Sequence, residues 1–242
     1  MKVAALYDVH GNLAALEAVM ADARLAGVDV IVSGGDLVMG PFPAECLDRL
    51  EADGRVRFLR GNGDREVCEL DADGELAEAA RWCNERLGPA RIERIRAWPA
   101  VVEVSIPGLG PVLFCHATPT SDLSILTRVT PEEDVARELG DGAAVVVCGH
   151  THVQYDRRVG RTRLVNAGSA GMPYEGSPDA RWAVLGDGGI ALMSTSYDAV
   201  AAFDVLAGTG FPLAEPWLRP VLLGRVTADE ATDEFERRRR GA

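Results

Sequence analysis

The segment LYDVHGNLAAL, from Leu6 to Leu16, places a carboxylate and an imidazole where an apolar run gives way to a helical pattern. The run that leads into it, KVAALYDV, is typical of a buried strand. Apolar residues then recur from Leu13 to Met20 at the spacing of one helix face, and Asn12 is a good N-cap residue. The segment therefore predicts a strand, a turn that contains Asp8 and His10, and a helix.

The rest of the first half repeats this alternation of strand and helix. VDVIVSGGD and RVRFLRGNGD each predict a strand that ends in a turn. Helices are predicted near Ala44 to Ala52 and from about Gly74 to Trp98. We expect the second region to form two helices broken at Gly88-Pro89, because these two residues interrupt helical patterns.

The second half is richer in strands. Seven short apolar runs, separated by glycine and other turn residues, predict strands: AVVEVSI, PVLFCHA, AAVVVCGH, VQYDRRV, TRLVNAG, RWAVLGD and IALMSTSY. Hairpin turns are predicted at Val159-Gly160-Arg161 and Asp187-Gly188-Gly189, and helices around Pro131 to Leu139, Asp198 to Ala207 and Ala228 to Arg240. We interpret residues 1–242 as one α/β domain with a helical C-terminal tail from about residue 198 to 242.

The composition is that of an ordinary globular protein, with 47% apolar and 26% charged residues. A net charge of −12 argues against broad electrostatic binding to nucleic acid, and we interpret the basic run Arg237 to Arg240 as a solvated helix end. No apolar run approaches the roughly 18 residues of a membrane span, and the N-terminus does not resemble a signal peptide. Five cysteines without a CxxC pair predict reduced thiols and a cytoplasmic protein.

Polar side chains that can bind metals follow the predicted strands. They are Asp8, His10, Asp36, Asn62, Asp64, His116, His150 and His152. In open α/β sheets, ligand sites gather outside the carboxyl ends of the strands, so residues this far apart in sequence can converge. A structural role is the usual interpretation of one histidine, but all four histidines of this chain occur in the pattern. The set as a whole therefore favours a functional site.

Neutral imidazole and carboxylate groups bind borderline divalent metals, and the absence of thiolates argues against a purely structural zinc site. The set offers more donors than one ion needs when open positions must remain for water. Two ions roughly 3.5–4 Å apart, with one carboxylate between them, would use the donors well. Such a pair binds phosphoryl oxygens and produces hydroxide near neutral pH, so a phosphate ester is the natural substrate class.

The order D-x-H, GD, GN-x-D, H, GH-x-H over residues 8 to 152 resembles that of the calcineurin-like metallophosphoesterases, in particular their small single-domain bacterial and archaeal phosphodiesterases. The loop NAGSAGMP, from Asn166 to Pro173, is similar to the NPGS segment of that branch, with Ala167 at the usual proline. The resemblance implies a four-layer αββα sandwich. It also implies Mn²⁺ as the activating ion, with Fe, Zn, Ni or Co as alternatives.

The resemblance also implies roles for single residues. One ion would be held by Asp8, His10, Asp36 and His152, and the other by Asp36, Asn62, His116 and His150. Asp36 would bridge the ions, and a hydroxide between them would attack phosphorus in line. Asp36, Asn62, Asp64 and His116 are the expected catalytic residues. Asn62 and Arg65 are candidates for substrate contact, although a surface ion pair is the alternative for Arg65.

One position departs from the family pattern. Many members have a histidine after the asparagine of the GN motif, and this histidine helps to protonate the leaving group and contacts the phosphate. The position is Gly63 here. Because general acid catalysis is commonly worth roughly 10²–10⁴-fold, we predict that phosphodiesters and esters with good leaving groups react faster than alkyl monoesters.

The leading interpretation is thus a phosphodiesterase that acts on a small phosphate ester, without a membrane or nucleic-acid partner. A phosphomonoesterase, a hydrolase of dinucleoside polyphosphates and a protein phosphatase are the enzymatic alternatives. A binding scaffold without activity is disfavoured, because all seven ligand positions hold competent residues. A metallo-β-lactamase is disfavoured because its HxHxDH cluster is missing: the GHTH motif continues as Val153-Gln154.

Overall fold

Two mixed β-sheets lie face to face and form the centre of the molecule. The computed structural model describes residues 1–25, 27–140 and 142–241, and of residues 23–25 it describes the backbone alone. Within these ranges each sheet has five strands. No helix in the same ranges is both long enough and apolar enough to cross a membrane.

The first sheet contains the strands predicted nearest the N-terminus together with the last two. In chain order they are β1 (Val3–Leu6), β2 (Val30–Ser33), β3 (Val56–Phe58), β9 (Ala180–Gly186) and β10 (Gly189–Thr195). Their spatial order is β10-β9-β1-β2-β3. β1, β2 and β3 are parallel, whereas β9 and β10 form an antiparallel hairpin that pairs with β1.

The second sheet is built from the middle of the chain. Its strands are β4 (Val101–Ile106), β5 (Gly110–Cys115), β6 (Val145–Cys148), β7 (Tyr155–Val159) and β8 (Thr162–Asn166). They lie in the order β4-β5-β6-β8-β7. β5, β6 and β8 are parallel, and β4 and β7 close the two edges as antiparallel strands.

Helices cover the outer faces of both sheets. They are α1 (Leu13–Leu25), α2 (Pro43–Glu51), α3 (Asn62–Glu69), α4 (Gly74–Arg96), α5 (Glu132–Leu139), α6 (Ala199–Ala207), α7 (Arg219–Leu222) and α8 (Ala228–Gly241). A π-helical turn, Ala214–Leu218, leads directly into α7. α1, α2, α4 and α6 supply apolar residues to one core on the first sheet, and α5 contributes to another core on the second sheet.

The alternation of side chains along β1 shows how the layers are joined. Val3 and Ala5 belong to the core between the two sheets, which also includes Phe114 of the second sheet. Ala4 and Leu6 belong to the core between the first sheet and its helices. Successive side chains of a strand point to opposite faces, so one buried strand serves both layers. The predicted four-layer αββα sandwich is confirmed.

Most of the predicted elements are confirmed, including the seven strands of the second half and the two hairpins. α4 is interrupted at Gly88, whose φ of 70° and ψ of 166° are not helical, directly before Pro89. The prediction of a simple turn at GNGD was incomplete, because Asn62 begins α3. The helical stretch Ala214–Leu222 was also not predicted, since its prolines obscured the helical pattern.

α8 is anchored by the buried carboxylate of Glu236, whose residue is 3% exposed. Its Oε1 accepts hydrogen bonds from Thr127 at 2.7 Å and from Thr130 at 2.5 Å. Its Oε2 accepts two hydrogen bonds from Arg239, which also pairs with Asp134 at 3.0 Å. Although burial favours the neutral acid, the hydrogen bonds from Arg239, Thr130 and Thr127 lower the pKa of Glu236 overall.

The variant Glu236→Gln is expected to lower the free energy of unfolding at pH 7 by about 1–2 kcal/mol, since hydrogen bonds to a charged group lose their charge assistance. The pKa of Glu236 is lower in the folded than in the unfolded chain, so its stabilising effect is complete above the unfolded pKa and is lost as pH falls through the folded pKa. Thermal melts of both proteins should therefore differ most at pH 7 and converge as the pH falls through the lowered pKa of Glu236. A difference in melting temperature between the two proteins that does not change with pH would contradict this role of the Glu236 carboxylate.

Candidate metal centre

The candidate ligands lie at one edge of the sandwich, where parallel strands of both sheets end. Asp8 and His10 follow β1, Asp36 follows β2, Asn62 follows β3, His116 follows β5, and His150 and His152 follow β6. The carboxyl ends of parallel strands share one edge of a sheet, and two facing sheets bring two such edges together. The structure thus places all seven residues around the same edge.

One group consists of Asp8, His10 and His152, whose potential ligand atoms lie within 4.8 Å of one another. The Nε2 atoms of His10 and His152 are 3.2 Å apart. Oδ1 of Asp8 lies 3.5 Å from Nε2 of His152, and Oδ2 of Asp36 lies 3.7 Å from Nε2 of His10. These four residues are the ones that the resemblance implies for the first ion.

A second group joins Asp8, Asp36 and His116. Nε2 of His116 lies 3.5 Å from Oδ1 of Asp36, 3.9 Å from Oδ1 of Asp8 and 3.1 Å from Oδ1 of Asn62. Asp36 therefore turns one oxygen towards His10 and the other towards His116, as a bridging carboxylate would. By distance, Asp8 also lies between the two groups, which the sequence did not predict.

His150 lies beside these groups but belongs to neither of them. Its ring centroid is 5.1 Å from that of His116, in an edge-to-face arrangement. Its backbone N–H donates a hydrogen bond of 2.9 Å to Oδ2 of Asp8. His150 thus positions Asp8 through its backbone, and its role as a metal ligand stays a prediction.

The backbone is strained at these residues. In the described part of the chain, six non-glycine residues have positive φ, and five of them are Asp8, His10, Asp36, His150 and His152, with φ between 47° and 68°. Left-handed backbone is uncommon for residues with a Cβ and persists where the surrounding structure enforces it. Its concentration at the strand ends indicates that the fold holds these side chains in one arrangement.

Backbone carbonyl groups fix the orientation of three imidazole rings. The Nδ1 atoms and their carbonyl partners are His10 with Met39 at 3.1 Å, His152 with Met172 at 2.8 Å, and His116 with Gly34 at 3.0 Å. A hydrogen on Nδ1 leaves the lone pair on Nε2, which in each ring is the atom that faces the centre. This pattern is typical of metal-binding histidines.

Burial and neighbouring charges set the protonation of the site. Burial opposes ionisation of Asp8, but His152 and the other nearby histidines lower its pKa to about 2. Burial, together with His116, lowers the pKa of His150 to about 4. Burial also lowers the pKa of His116, but the carboxylates of Asp36 and Asp8 raise it overall. Deprotonated carboxylates and neutral imidazoles are the forms that bind cations.

Two features show that divalent cations fit this donor set. Oδ1 of Asp8 is buried and has no hydrogen-bond partner, although it belongs to an ionised carboxylate. The Nε2 atoms of His10 and His152 face each other at 3.2 Å while their Nδ1 atoms contact carbonyl groups. Lone pairs and a negative oxygen that converge without donors are satisfied by a cation.

Asp64 makes contacts that position the backbone, and the catalytic role that the sequence predicted for it stays a prediction. It is fully buried, and its carboxylate accepts hydrogen bonds from the backbone N–H groups of Asp36, Leu37, Val38 and Gly61, at 2.8 to 3.1 Å. Burial and the charge of Asp36 raise the pKa of Asp64 to about 7, and the backbone donors oppose this shift. Asp64 therefore joins the loop after β2 to the start of α3, and it is a positioning residue.

Arg65 forms ion pairs, and its contact with substrate stays a prediction. Its guanidinium group pairs with Asp71 at 2.6 Å and with Asp122 at 2.8 Å. The ion pair that the sequence left open as the alternative is thus present. Asn62, by contrast, directs Oδ1 towards His116, and its Nδ2 donates to Glu66 at 3.3 Å.

The loop Asn166–Pro173 makes hydrogen bonds that hold the segment containing Asp8 in place. The hydroxyl of Ser169 donates a 2.6 Å hydrogen bond to the carbonyl oxygen of Asp8 and accepts one from the backbone N–H of Met172. Asn12 caps α1 and also donates to the carbonyl oxygen of Gly171 at 2.8 Å. The sequence identified this loop by its resemblance, but it did not reveal the bond between Ser169 and Asp8.

Ser169→Ala is expected to weaken metal binding by about tenfold, because partners of the ligands typically contribute 10–100-fold to affinity. We expect the lower end of this range, since the N–H of Gly171 also donates to the carbonyl oxygen of Asp8. The affinity is measured by isothermal titration calorimetry, in which the metal-free protein is titrated with Mn²⁺. Unchanged affinity in a folded variant would show that the loop does not support the site.

Three aromatic side chains that the metal-ligand motifs do not include surround the histidines. Tyr174 stacks on His152, with ring centroids 4.6 Å apart. Trp217 lies edge-on to His10 at 6.4 Å, and Phe235 lies 6.4 Å from His150. Trp217 and Phe235 come from the C-terminal tail, and no local signal in the sequence relates them to the site.

The amino-terminal three quarters of the chain matches a known family model. Residues 1–186 match the model described as the calcineurin-like phosphoesterase superfamily domain. The match includes all seven candidate ligands and the supporting loop, and it ends before the helical tail.

Similar proteins extend over the tail as well. An uncharacterized protein of Methanocaldococcus jannaschii is 26% identical over 246 residues, which cover 92% of this chain and 98% of that protein. A metallophosphoesterase from Sphaerobacter thermophilus has a similar structure, with a TM-score of 0.73, 24% identity, and coverage of 93% of this chain and 99% of that one. A hypothetical protein from Pyrococcus horikoshii gives a TM-score of 0.75 at 18% identity, with coverage of 91% and 97%. These two structural similarities concern the fold.

Proposed function

Because this chain belongs to the calcineurin-like phosphoesterase superfamily, we propose that it hydrolyses phosphodiesters with two divalent ions bound at the strand ends. The observation that carries the proposal is Oδ1 of Asp8, which is buried without a partner and lies 3.5 Å and 3.9 Å from Nε2 of His152 and of His116. A buried carboxylate oxygen without a hydrogen-bond donor is stabilised by a bound cation.

The donor set divides into two ligand groups that share Asp36. We assign Asp8, His10, Asp36 and His152 to one ion, and Asp36, Asn62, His116 and His150 to the other. Bound divalent ions would neutralise negative charge on the phosphoryl group and lower the pKa of water. We propose Mn²⁺, supported by the mixture of carboxylate, amide and imidazole donors, and Fe, Zn, Ni or Co remain alternatives.

The chain's own residues favour diesters with good leaving groups. In this assignment all four histidines of the protein are metal ligands, so none is left to protonate a departing alcohol. Gly63 provides no side chain where related enzymes have a histidine. Its N–H donates a 2.7 Å hydrogen bond to Oδ1 of Asp36, and thereby orients the proposed bridging carboxylate.

We also propose that residues 1–242 act as one unit and that the protein is cytoplasmic. The core on the first sheet contains residues of β1 and α1 together with residues of α6 and α7, which supports one unit. All five cysteines are free and buried, as is common for proteins of a reducing compartment.

The test is hydrolysis of bis(p-nitrophenyl) phosphate by the metal-free protein, followed by addition of Mn²⁺, Zn²⁺, Fe²⁺, Ni²⁺ or Co²⁺. We expect activity that appears with metal, with Mn²⁺ the most effective, and that EDTA removes. Absence of hydrolysis with every metal would contradict an enzymatic function and favour a binding scaffold. A higher rate on p-nitrophenyl phosphate than on the diester would instead favour a monoesterase.

A further inference from the structure

The C-terminal tail forms a pocket next to the metal centre. The pocket measures about 280 Å³ and lies between the π-helical turn, α7 and α8 of the tail and Tyr174 of the family domain. Its apolar lining includes Trp217, Phe235, Val221 and Val226. The three aromatic side chains are partly exposed, so their ring surfaces are not all used by the core.

The walls of the pocket are also neighbours of the proposed ligands. Tyr174 contacts His152, Trp217 contacts His10, and Phe235 contacts His150, as described above. The ring centroids of Tyr174 and Phe235, which both line the pocket, are 6.3 Å apart. A group bound against these rings would therefore lie close to the proposed ligands His10, His150 and His152.

The charged groups at the rim are already paired with local partners. Glu234 accepts a 2.7 Å hydrogen bond from Arg238, and Arg238 also lies over the ring of Phe235. Glu230 accepts from the hydroxyl of Thr227 at 2.6 Å, in the capping arrangement that begins α8. The free recognition surface of the pocket is therefore aromatic and apolar.

We propose that this pocket binds a flat aromatic ring of nucleobase size, carried by one of the two alcohols of the phosphodiester. Pockets for drug-sized ligands measure roughly 300–1,000 Å³, so a pocket of 280 Å³ suits a single ring system. Aromatic ligand rings stack on aromatic side chains with little dependence on the substituents of the ligand. Tyr174, Trp217 and Phe235 would therefore select a flat aromatic ring, but not one particular base. This inference rests on the proposed function, because it assigns the phosphate to the adjacent ions.

The test compares a nucleotide with the sugar phosphate that lacks its base. Manganese-loaded protein is titrated by calorimetry with thymidine 5′-monophosphate and with 2-deoxyribose 5-phosphate. We expect the nucleotide to bind about tenfold more tightly or better, as stacking on aromatic side chains commonly provides. A ratio of dissociation constants near one in the wild-type protein would overturn the inference.

Variants locate the effect in the pocket. Phe235→Ala is expected to reduce the ratio of dissociation constants towards one, and Trp217→Leu, which keeps apolar volume but removes a ring, should reduce it as well. Leu223→Ala is the matched control, because Leu223 is an exposed apolar residue of the same tail outside the pocket, and the ratio should be retained. If the ratio of dissociation constants fell towards one in Leu223→Ala and not in the two pocket variants, the base would not bind in this pocket. Thermal melts check that each variant is folded.

The outcomes distinguish this inference from the proposed function. Base-dependent binding without metal-dependent hydrolysis would support the pocket and contradict the phosphodiesterase. Hydrolysis with equal binding of the two ligands would support the phosphodiesterase and contradict the pocket.

Discussion

Asp36→Asn is expected to lower kcat/KM for bis(p-nitrophenyl) phosphate by about a thousandfold or more. Oδ1 and Oδ2 of Asp36 face His116 at 3.5 Å and His10 at 3.7 Å, so the carboxylate is placed to serve both ions. An amide carries no charge and offers one oxygen in place of two. Loss of one ion would remove several kcal/mol of transition-state stabilisation, and each 1.36 kcal/mol is a factor of ten in rate.

Asp36→Asn is a specific test because we expect the variant to keep the fold. The amide oxygen of asparagine can still accept the hydrogen bond from the N–H of Gly63, and the N–H of Asp36 still donates to Asp64. Asp156→Asn is the matched control, since Asp156 pairs with Arg163 on the surface, away from the centre. We expect full activity in the control. Activity of Asp36→Asn within tenfold of wild type would contradict the bridging role.

Gly63→His is expected to raise the rate on an alkyl phosphomonoester, relative to the rate on the diester, by about a hundredfold when compared with Gly63→Ala. The resemblance implies that many members of the family have a histidine at this position to protonate the leaving group, and general acid catalysis commonly contributes 10²–10⁴-fold. Gly63 follows the first residue of α3 and lies directly beside Asp36. An imidazole here would lie beside Asp36, which we assign to both proposed ions.

Gly63→Ala is the necessary comparison, because any side chain at this position crowds the centre. A Cβ at residue 63 would lie 3.1 Å from Cγ and Oδ1 of Asp36 and from Cβ of Met39. The alanine variant measures the cost of displacing Asp36, so its rates on both esters should fall together. If the monoester-to-diester ratio is the same for histidine and alanine, the missing general acid does not explain the substrate preference.

The ligand positions could be predicted because strand ends are visible in sequence. Apolar runs that stop at Asp8, Asp36, His116 and His150 predict side chains at one edge of the sandwich, and β-strand geometry then brings them together. The positive φ values of these residues could not be predicted, since Asp and His occur in ordinary backbone far more often.

The backbone contacts of Asp64 could not be predicted because a motif does not show where a carboxylate points. The sequence GNGD contains residues that favour turns, and the same residues also favour helix starts. In the structure Asp64 turns back to Gly61 and to the loop after Asp36, and this bonding starts α3. Only the tertiary neighbours decide between the two outcomes.

The aromatic pocket could not be predicted because its parts are remote in sequence. Trp217 lies in a proline-containing stretch with no clear helical pattern, Phe235 lies in a charge-rich helix, and Tyr174 is more than 40 residues away from either. Their common position depends on α8, which is oriented by the buried contacts of Glu236 with Thr127 and Thr130. Such long-range contacts leave no periodic signal in the chain.

The central claim is that two cations bind among the seven donors, and anomalous diffraction from crystals grown with excess Mn²⁺ tests it most directly. We expect two anomalous peaks, one among Asp8, His10 and His152 and the other beside His116 and Asn62, with Asp36 between them. The same crystals after EDTA treatment should lack both peaks. A map with no peak at the strand ends would contradict the account.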